Sequence, residues 1–115
     1  MTSTVTDVPG ASITLSTTTA GARYIVDGSF DISQLATTNN DITGWLDVDG
    51  ALAGRAVSIG GQVFGDRATG AQTWVGTLPA AGSHTFKLRA STTTAGQYQV
   101  NQTNTSLVIM IFEVV

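Results

Sequence analysis

At 115 residues the chain has the length of one domain, and its 11% charged residues are less than half the share usual in a soluble domain. One Lys, four Arg and a net charge of −3 give no basic patch for nucleic acid, and the longest apolar run, Leu107 to Phe112, is far short of the ~20 residues that span a bilayer. Without Cys there is no disulfide framework and no thiol ligand or nucleophile.

Small polar residues stand where charges are missing: nineteen Thr and nine Ser, beside 13 Gly. Mean hydropathy is +0.19, on the apolar side for a soluble protein. Surfaces are normally wetted by interspersed charges. So few of them imply that other subunits cover part of this surface, while Thr, Ser, Asn and Gln wet the rest.

From the N-terminus, residues 1–10 are short and polar and end at Pro9-Gly10. They are expected to form an arm toward a partner or a first strand, with residues 11–115 as a single domain. They lack the basic start and apolar stretch of a secretory signal, which points to a protein made in a cytoplasm and exposed later, as virion proteins are. Beyond them the dominant period is two. In His84-Thr85-Phe86-Lys87-Leu88-Arg89-Ala90, the residues Phe86, Leu88 and Ala90 point one way while Lys87 and Arg89 point the other. Trp45 to Asp49 and Gln97 to Asn101 alternate in the same manner.

Strands are predicted at 3–8, 11–17, 22–31, 42–49, 55–64, 71–79, 84–91, 97–103 and 105–114. Turn signals lie at Pro9-Gly10, Ala20-Gly21, Asp27-Gly28, Asn39-Asn40, Asp49-Gly50, Gly60-Gly61, Gly65-Asp66, Gly70 and Ala80-Ala81-Gly82. The one helical feature expected is a single turn near Ile32-Ser33-Gln34-Leu35. The predicted fold is all-β, an antiparallel jelly-roll β-sandwich of about eight to nine short strands. Leu107 to Phe112 is apolar on both faces. One face meets the core; the other, with Val108, Met110 and Phe112, is expected to meet a neighbouring subunit, or else to lie under a long loop.

Candidate chemistry is sparse. His84 is the single His and cannot build a zinc site, which needs three or four N or S ligands. Ser83, its neighbour in a strand, points to the other face. Asp47 and Asp49 share a face, but an EF-hand fails on spacing, and a wet strand face running into an Asp-Gly turn is the simpler reading. Gly60-Gly61 lacks the Lys and the strand-to-helix context of a phosphate loop. With no acid, base and nucleophile set, neither enzymatic activity nor a cofactor or metal is expected. Trp45, Trp74 and Tyr24 are the candidate contacts to a partner or a glycan, with core packing as their alternative role. Ser16 to Gly21 recurs as Ser91 to Gly96, which reads as two similar hairpin turns.

Three segments carry a resemblance: Asp41-Ile42-Thr43-Gly44-Trp45-Leu46-Asp47-Val48-Asp49-Gly50; Gly54 through Ile59; and Gly76-Thr77-Leu78-Pro79-Ala80-Ala81-Gly82-Ser83-His84-Thr85-Phe86-Lys87-Leu88-Arg89-Ala90. With the closing apolar strand Ser106 to Val115, they resemble the jelly-roll domains of bacteriophage virion proteins, found in head decoration proteins and tail fibre tips. These are similar in shape to the trimeric heads of the tumour necrosis factor and complement families. The resemblance spans roughly residues 12–115 and carries over no catalytic or metal residue. It implies a homotrimer on the virion surface, a decoration (cement) protein that binds the major capsid protein or another virion protein and stabilises the head. The alternative it implies is a tail receptor-binding tip or lectin that holds a host-surface glycan. A carbohydrate-binding module of a larger enzyme is the generic third reading.

Overall fold

Strict alternation of buried and half-exposed side chains runs from His84 to Ala90, where His84, Phe86, Leu88 and Ala90 are buried. A strand with one apolar face must lay that face on another sheet. The computed structural model describes residues 5–34, 41–59, 67–92, 98–100 and 105–113. They form β1 (Thr6–Thr17), β2 (Ala22–Gln34), β3 (Ile42–Val48), β4 (Ala51–Ile59), β5 (Arg67–Leu78), β6 (Gly82–Thr92), β7 (Tyr98–Val100) and β8 (Ser106–Phe112).

Two antiparallel sheets result. One has the order β1-β6-β3-β4; the other has β5-β2, with β7 and β8 end to end on the remaining edge of β2. The pairings β3–β4, β2–β5 and β1–β6 nest inside one another like the limbs of one long hairpin. Rolling that hairpin up brings β6 beside β3 and β8 beside β2. This is jelly-roll wiring. Because β7 and β8 share one edge, the eight segments fill seven strand positions, slightly fewer than expected.

Several turn signals read differently in three dimensions. Pro9-Gly10 does not break the chain. It makes a bulge inside β1, with Gly10 at φ 78° and a register shift between Asp7 and Ser12. The predicted strands at 3–8 and 11–17 are therefore one, and Thr6 to Gly10 enter the sandwich as its front end. Asp27-Gly28 and Gly70 lie within β2 and β5. Ile32 to Gln34 continue β2, so the expected helical turn is absent there, and Leu35 lies outside the described residues. So do Asn39-Asn40, Gly60-Gly61, Gly65-Asp66 and most of the second Thr-rich copy. Asp49-Gly50 is a turn as read, with φ of 53° and 92°. Two central residues with positive φ make the tight primed hairpin that joins β3 to β4.

The core lies between the sheets: Val26, Phe30, Ile32 and Trp74 on one side, Ile42, Leu46, Phe86 and Leu88 on the other. Tyr24 meets Phe86 edge to face, with ring centroids 5.3 Å apart. Packing is close enough to require glycine at Gly44, where a Cβ would sit 2.6 Å from the Phe30 ring and 2.9 Å from Val57. Gly44→Ala should therefore cost about 1–3 kcal/mol by overpacking, read from the denaturant midpoint. Gly54→Ala is the control, since nothing lies within 4 Å of its added Cβ; it should change the midpoint little.

Candidate functional site

The two outer faces of the sandwich differ in chemistry. On the β1-β6-β3-β4 sheet the outward positions carry Asp7, Thr14, Thr85, Lys87, Arg89 and Asp47, and they are tied together. Asp7 takes Lys87 at 3.2 Å and Arg89 at 3.0 Å. Arg89 also reaches Asp47 at 3.4 Å and donates to the Val5 carbonyl at 3.0 Å. Thr14 and Thr85 share a hydrogen bond of 2.9 Å. Asp47 departs from the reading as a wet face, because it is buried. Arg89 lies against one of its oxygens, and the other accepts the Gly50 N–H at 2.8 Å.

The outer face of the β5-β2-β8 sheet has an apolar centre. Register places Val75, Ile25 and Met110 in one row across three strands. Thr77, Arg23 and Phe112 form the next row, and Thr73, Asp27 and Val108 the row on the other side. Val75 is 72% exposed, Val108 54%, Phe112 53% and Met110 45%. Arg23, Tyr24, Ile25, Val75, Gly76, Thr77 and Phe112 line an open depression of about 480 Å³ at one end of this face. Contiguous exposed apolar side chains of this kind mark surfaces that meet another molecule.

The expected site residues separate. Val108, Met110 and Phe112 are brought together on that face, while Leu107, Ile109 and Ile111 turn toward the core from the same strand. Trp74 does not reach the surface. It is 3% exposed, and its indole N–H donates to the Arg55 carbonyl at 2.6 Å. Tyr24 is also a core residue, with its hydroxyl over Gly76 and burial pushing its phenol pKa up. Both alternate in step with Val26 and Leu78, which point inward, and that is the physical reason they cannot form a surface platform. Trp45 stays half-buried on the polar outer face, in register with Arg89 and Ala56. Val75 and Ile25 were missed by sequence reading. The signal was present in their odd positions beside inward-facing Tyr24 and Trp74.

Two polar ties fasten one end of the sandwich, where β1 ends and β6 begins. His84 is nearly buried, and its Nδ1 lies 2.6 Å from Asp49 while Nε2 lies 2.8 Å from the Ala80 carbonyl. Both partners are acceptors, so the ring holds best when doubly protonated. Its pKa is raised above the ordinary 6.5, first by the Asp49 hydrogen bond and then by the Ala80 carbonyl. Asp49 is lowered in return, chiefly by His84, and its other oxygen accepts the Thr85 N–H at 2.8 Å. With both nitrogens engaged by backbone and turn, His84 serves as a structural clasp. At the other tie, Glu113 accepts the backbone N–H groups of Thr18 and Thr19 at 2.6 and 2.9 Å and both their hydroxyls. Those backbone donors, Thr19 first, hold its carboxyl below the ordinary value. Among the described residues, no group of three His, Cys, Asp or Glu is arranged to hold a metal ion.

No family model matches the chain, and no curated protein matches it. Among solved structures, the C-terminal domain of EclA, a sugar-binding protein, is similar to it with a TM-score of 0.49 and 11% identity, covering 96% of this chain and 79% of that one.

The two ties set a pH window. The raised His84 contributes stability that is full below pH 6.5 and is lost as pH rises through its folded value. The lowered Glu113 and Asp49 contribute stability that is full above their ordinary values of 4.5 and 3.8 and is lost as pH falls through their folded ones. Thermal unfolding followed against pH should thus peak between pH 4.5 and 6.5. His84→Gln should flatten the alkaline limb, and Glu113→Gln the acid limb.

Proposed function

We propose that this chain is a non-catalytic assembly protein that works by contact. It forms a homotrimer through the outer face of the β5-β2-β8 sheet and decorates a virion surface, binding the capsid lattice and stabilising it. The observation that carries the reading is the asymmetry of the two faces: one laced by Asp7, Lys87, Arg89 and Asp47, the other presenting Val75, Val108, Met110 and Phe112. A charge-poor chain with one apolar outer face suits a subunit whose face is covered. Closed cyclic symmetry is the usual form of such assemblies. The virion setting is supported by the resemblance of the Val48-Asp49-Gly50 and Leu78 to Thr85 segments to phage jelly-roll proteins. Three footholds on one lattice would act together through effective concentration, each of them weak alone.

A second reading, carbohydrate binding, keeps one specific observation. Trp45 lies half-buried on the polar outer face beside Arg89, with Thr43 on the same side of β3. An aromatic ring flanked by polar groups is the usual dress of a sugar site. Trp74 and Tyr24, being buried, add nothing to it.

Sedimentation at micromolar concentration should give about three times 11.9 kDa. Phe112→Asp and Met110→Lys should each return the mass to a single chain without loss of β-structure, because both side chains are about half exposed. Wild-type trimers mixed with undecorated heads should bind them and raise their rupture temperature, and the Phe112→Asp monomer should do neither. Trp45→Ala should leave mass and head binding unchanged. Selective capture on a glycan array that disappears in Trp45→Ala would favour the second reading.

A further inference from the structure

β4 and β5, each at the edge of its own sheet, meet along one side of the sandwich and part at one end. Where β4 finishes they are closed, with Ile59 and Val57 packed over Gly70. Further along, the Trp74 indole N–H donates to the Arg55 carbonyl at 2.6 Å and stitches one sheet to the other. Beyond this stitch β4 carries the small residues Ala51, Ala53 and Gly54, which leave space before β5. The space is a cleft of two compartments that share Tyr24 and Ala53. One, of about 400 Å³, is bordered by Gly54, Arg55, Thr73 and Trp74. The other, of about 380 Å³, is bordered by Val48, Asp49, Leu52, Leu78 and Pro79. Volumes of this order hold small molecules.

Tyr24 brings a polar group into the cleft from the core. It is only 7% exposed, and its ring leans across β5 until the hydroxyl stands where a Cβ on Gly76 would begin. No group among the described residues hydrogen-bonds to that hydroxyl. A nearly buried polar group without a partner calls for an explanation, and a ligand that accepts its proton supplies one. Burial pushes the phenol pKa up, so the group remains a donor.

The charges along the cleft give it a direction. Arg55 is exposed at the first compartment and makes no ion pair among the described residues. Lys87 and Arg89, by contrast, are engaged by Asp7 and Asp47. Asp27, beyond Thr73, accepts the Thr73 hydroxyl at 2.6 Å. The second compartment is mostly apolar, and its one acid, Asp49, is held by His84 and the Thr85 N–H. One end thus presents a guanidinium and a phenol O–H, and the other presents aliphatic side chains with a carboxylate at the rim.

We propose that the cleft between β4 and β5 binds a small anionic amphiphile, an unbranched alkyl carboxylate. Its head lies between Arg55 and the Tyr24 hydroxyl, and its chain runs past Ala53 toward Leu52, Leu78 and Pro79. A carboxylate matches the planar fork of one Arg and keeps lone pairs for the phenol. A doubly charged head would need a second cation, and Asp49 repels an anion from the far end. From Arg55 to Ala51 the strand spans about 13 Å, which suits a chain of medium length and not a single ring. This goes beyond assembly through the outer face, because the site lies between the sheets and away from Met110 and Phe112.

The test uses the full chain and decanoate below its micelle-forming concentration, followed by calorimetry. One decanoate per chain should bind, about tenfold or more tighter than decanol or decanamide, which keep the chain and lack the charge. Backbone amide shifts should fall at residues 51–55 and 73–77. Arg55→Gln should weaken binding about tenfold or more, and Arg55→Lys less. Tyr24→Phe should weaken it about fivefold and leave the melting temperature of the free chain no lower, since the hydroxyl it removes has no partner in the fold. Arg23→Gln, on the outer face beside Phe112, should change nothing. Phe112→Asp should bind decanoate as wild type does, so failure of the trimer reading and failure of this site are separable. Absence of saturable binding, equal binding of decanol, or loss of binding in Arg23→Gln but not in Arg55→Gln would overturn the proposal. So would a lowered melting temperature in ligand-free Tyr24→Phe, which would place the hydroxyl in the fold's own bonding.

Discussion

Backbone pairing along β2 is the constraint on which the rest of the sandwich depends. A buried strand must satisfy N–H and C=O groups on both of its edges. β2 does so with β5 over its whole length on one side and with β7 and β8 end to end on the other. That places the closing strand of the chain beside an early one, across about eighty residues of sequence. It also fixes the parity of every side chain on the sheet, because a slip of one residue would exchange the two faces. Tyr24, Val26, Phe30 and Ile32 go to the core, and Ile25 goes to the outside with Val75 and Met110.

The two sheets use the few charges differently. The four-stranded sheet gathers Asp7, Lys87, Arg89 and Asp47 on its outer face, where each offsets another. Exposed pairs of this kind add little stability each. Their larger effect is to wet one face and to pin the bulged front of β1. The other sheet carries Arg23, Asp27 and Asp31 in β2 and Arg67 in β5, and its outer face has an apolar centre. β8 itself carries no charge.

Much of this could be read from the sequence, and the exceptions have physical causes. The alternation in Phe86, Leu88 and Ala90 against Lys87 and Arg89 gave β6 and its orientation, and Asp49-Gly50 gave the tight hairpin. Glycine misled where its role is space. Gly28 makes room for Trp74 and Leu88, where a Cβ would come within 2.9 Å of both, and Gly70 lies beneath Ile59. Pro9-Gly10 suggested a turn because a bulge uses the same residues as a turn. The exposed face was half legible. Val108, Met110 and Phe112 followed from a strand apolar on both sides, but Val75 and Ile25 needed the knowledge that β5 and β2 lie beside it. Long-range partners were invisible. Glu113 and its Thr18-Thr19 clasp are 94 and 95 residues apart, and only the rolled topology brings them together.

The Glu113 clasp and the backbone ladders of β1 and β8 belong to one mechanical arrangement. Glu113 follows β8 and is held by the turn that follows β1, so the two strands are tied together at one end. Ile13 and Leu15 on β1 and Leu107, Ile109 and Ile111 on β8 face inward and are only partly covered, while Val8, Ala11 and Thr17 are buried. Covering the partly covered ones further by collapse would require β1 to leave its register with β6 or β8 to leave β2, and each move would break a ladder of backbone hydrogen bonds to hide a few side chains. Burying one aliphatic side chain is worth only about 1.5–3 kcal/mol, and a buried backbone group left unpaired costs a comparable amount. Each ladder joins at least seven residue pairs, against five partly covered side chains, so the strands keep their registers instead of distorting to hide them.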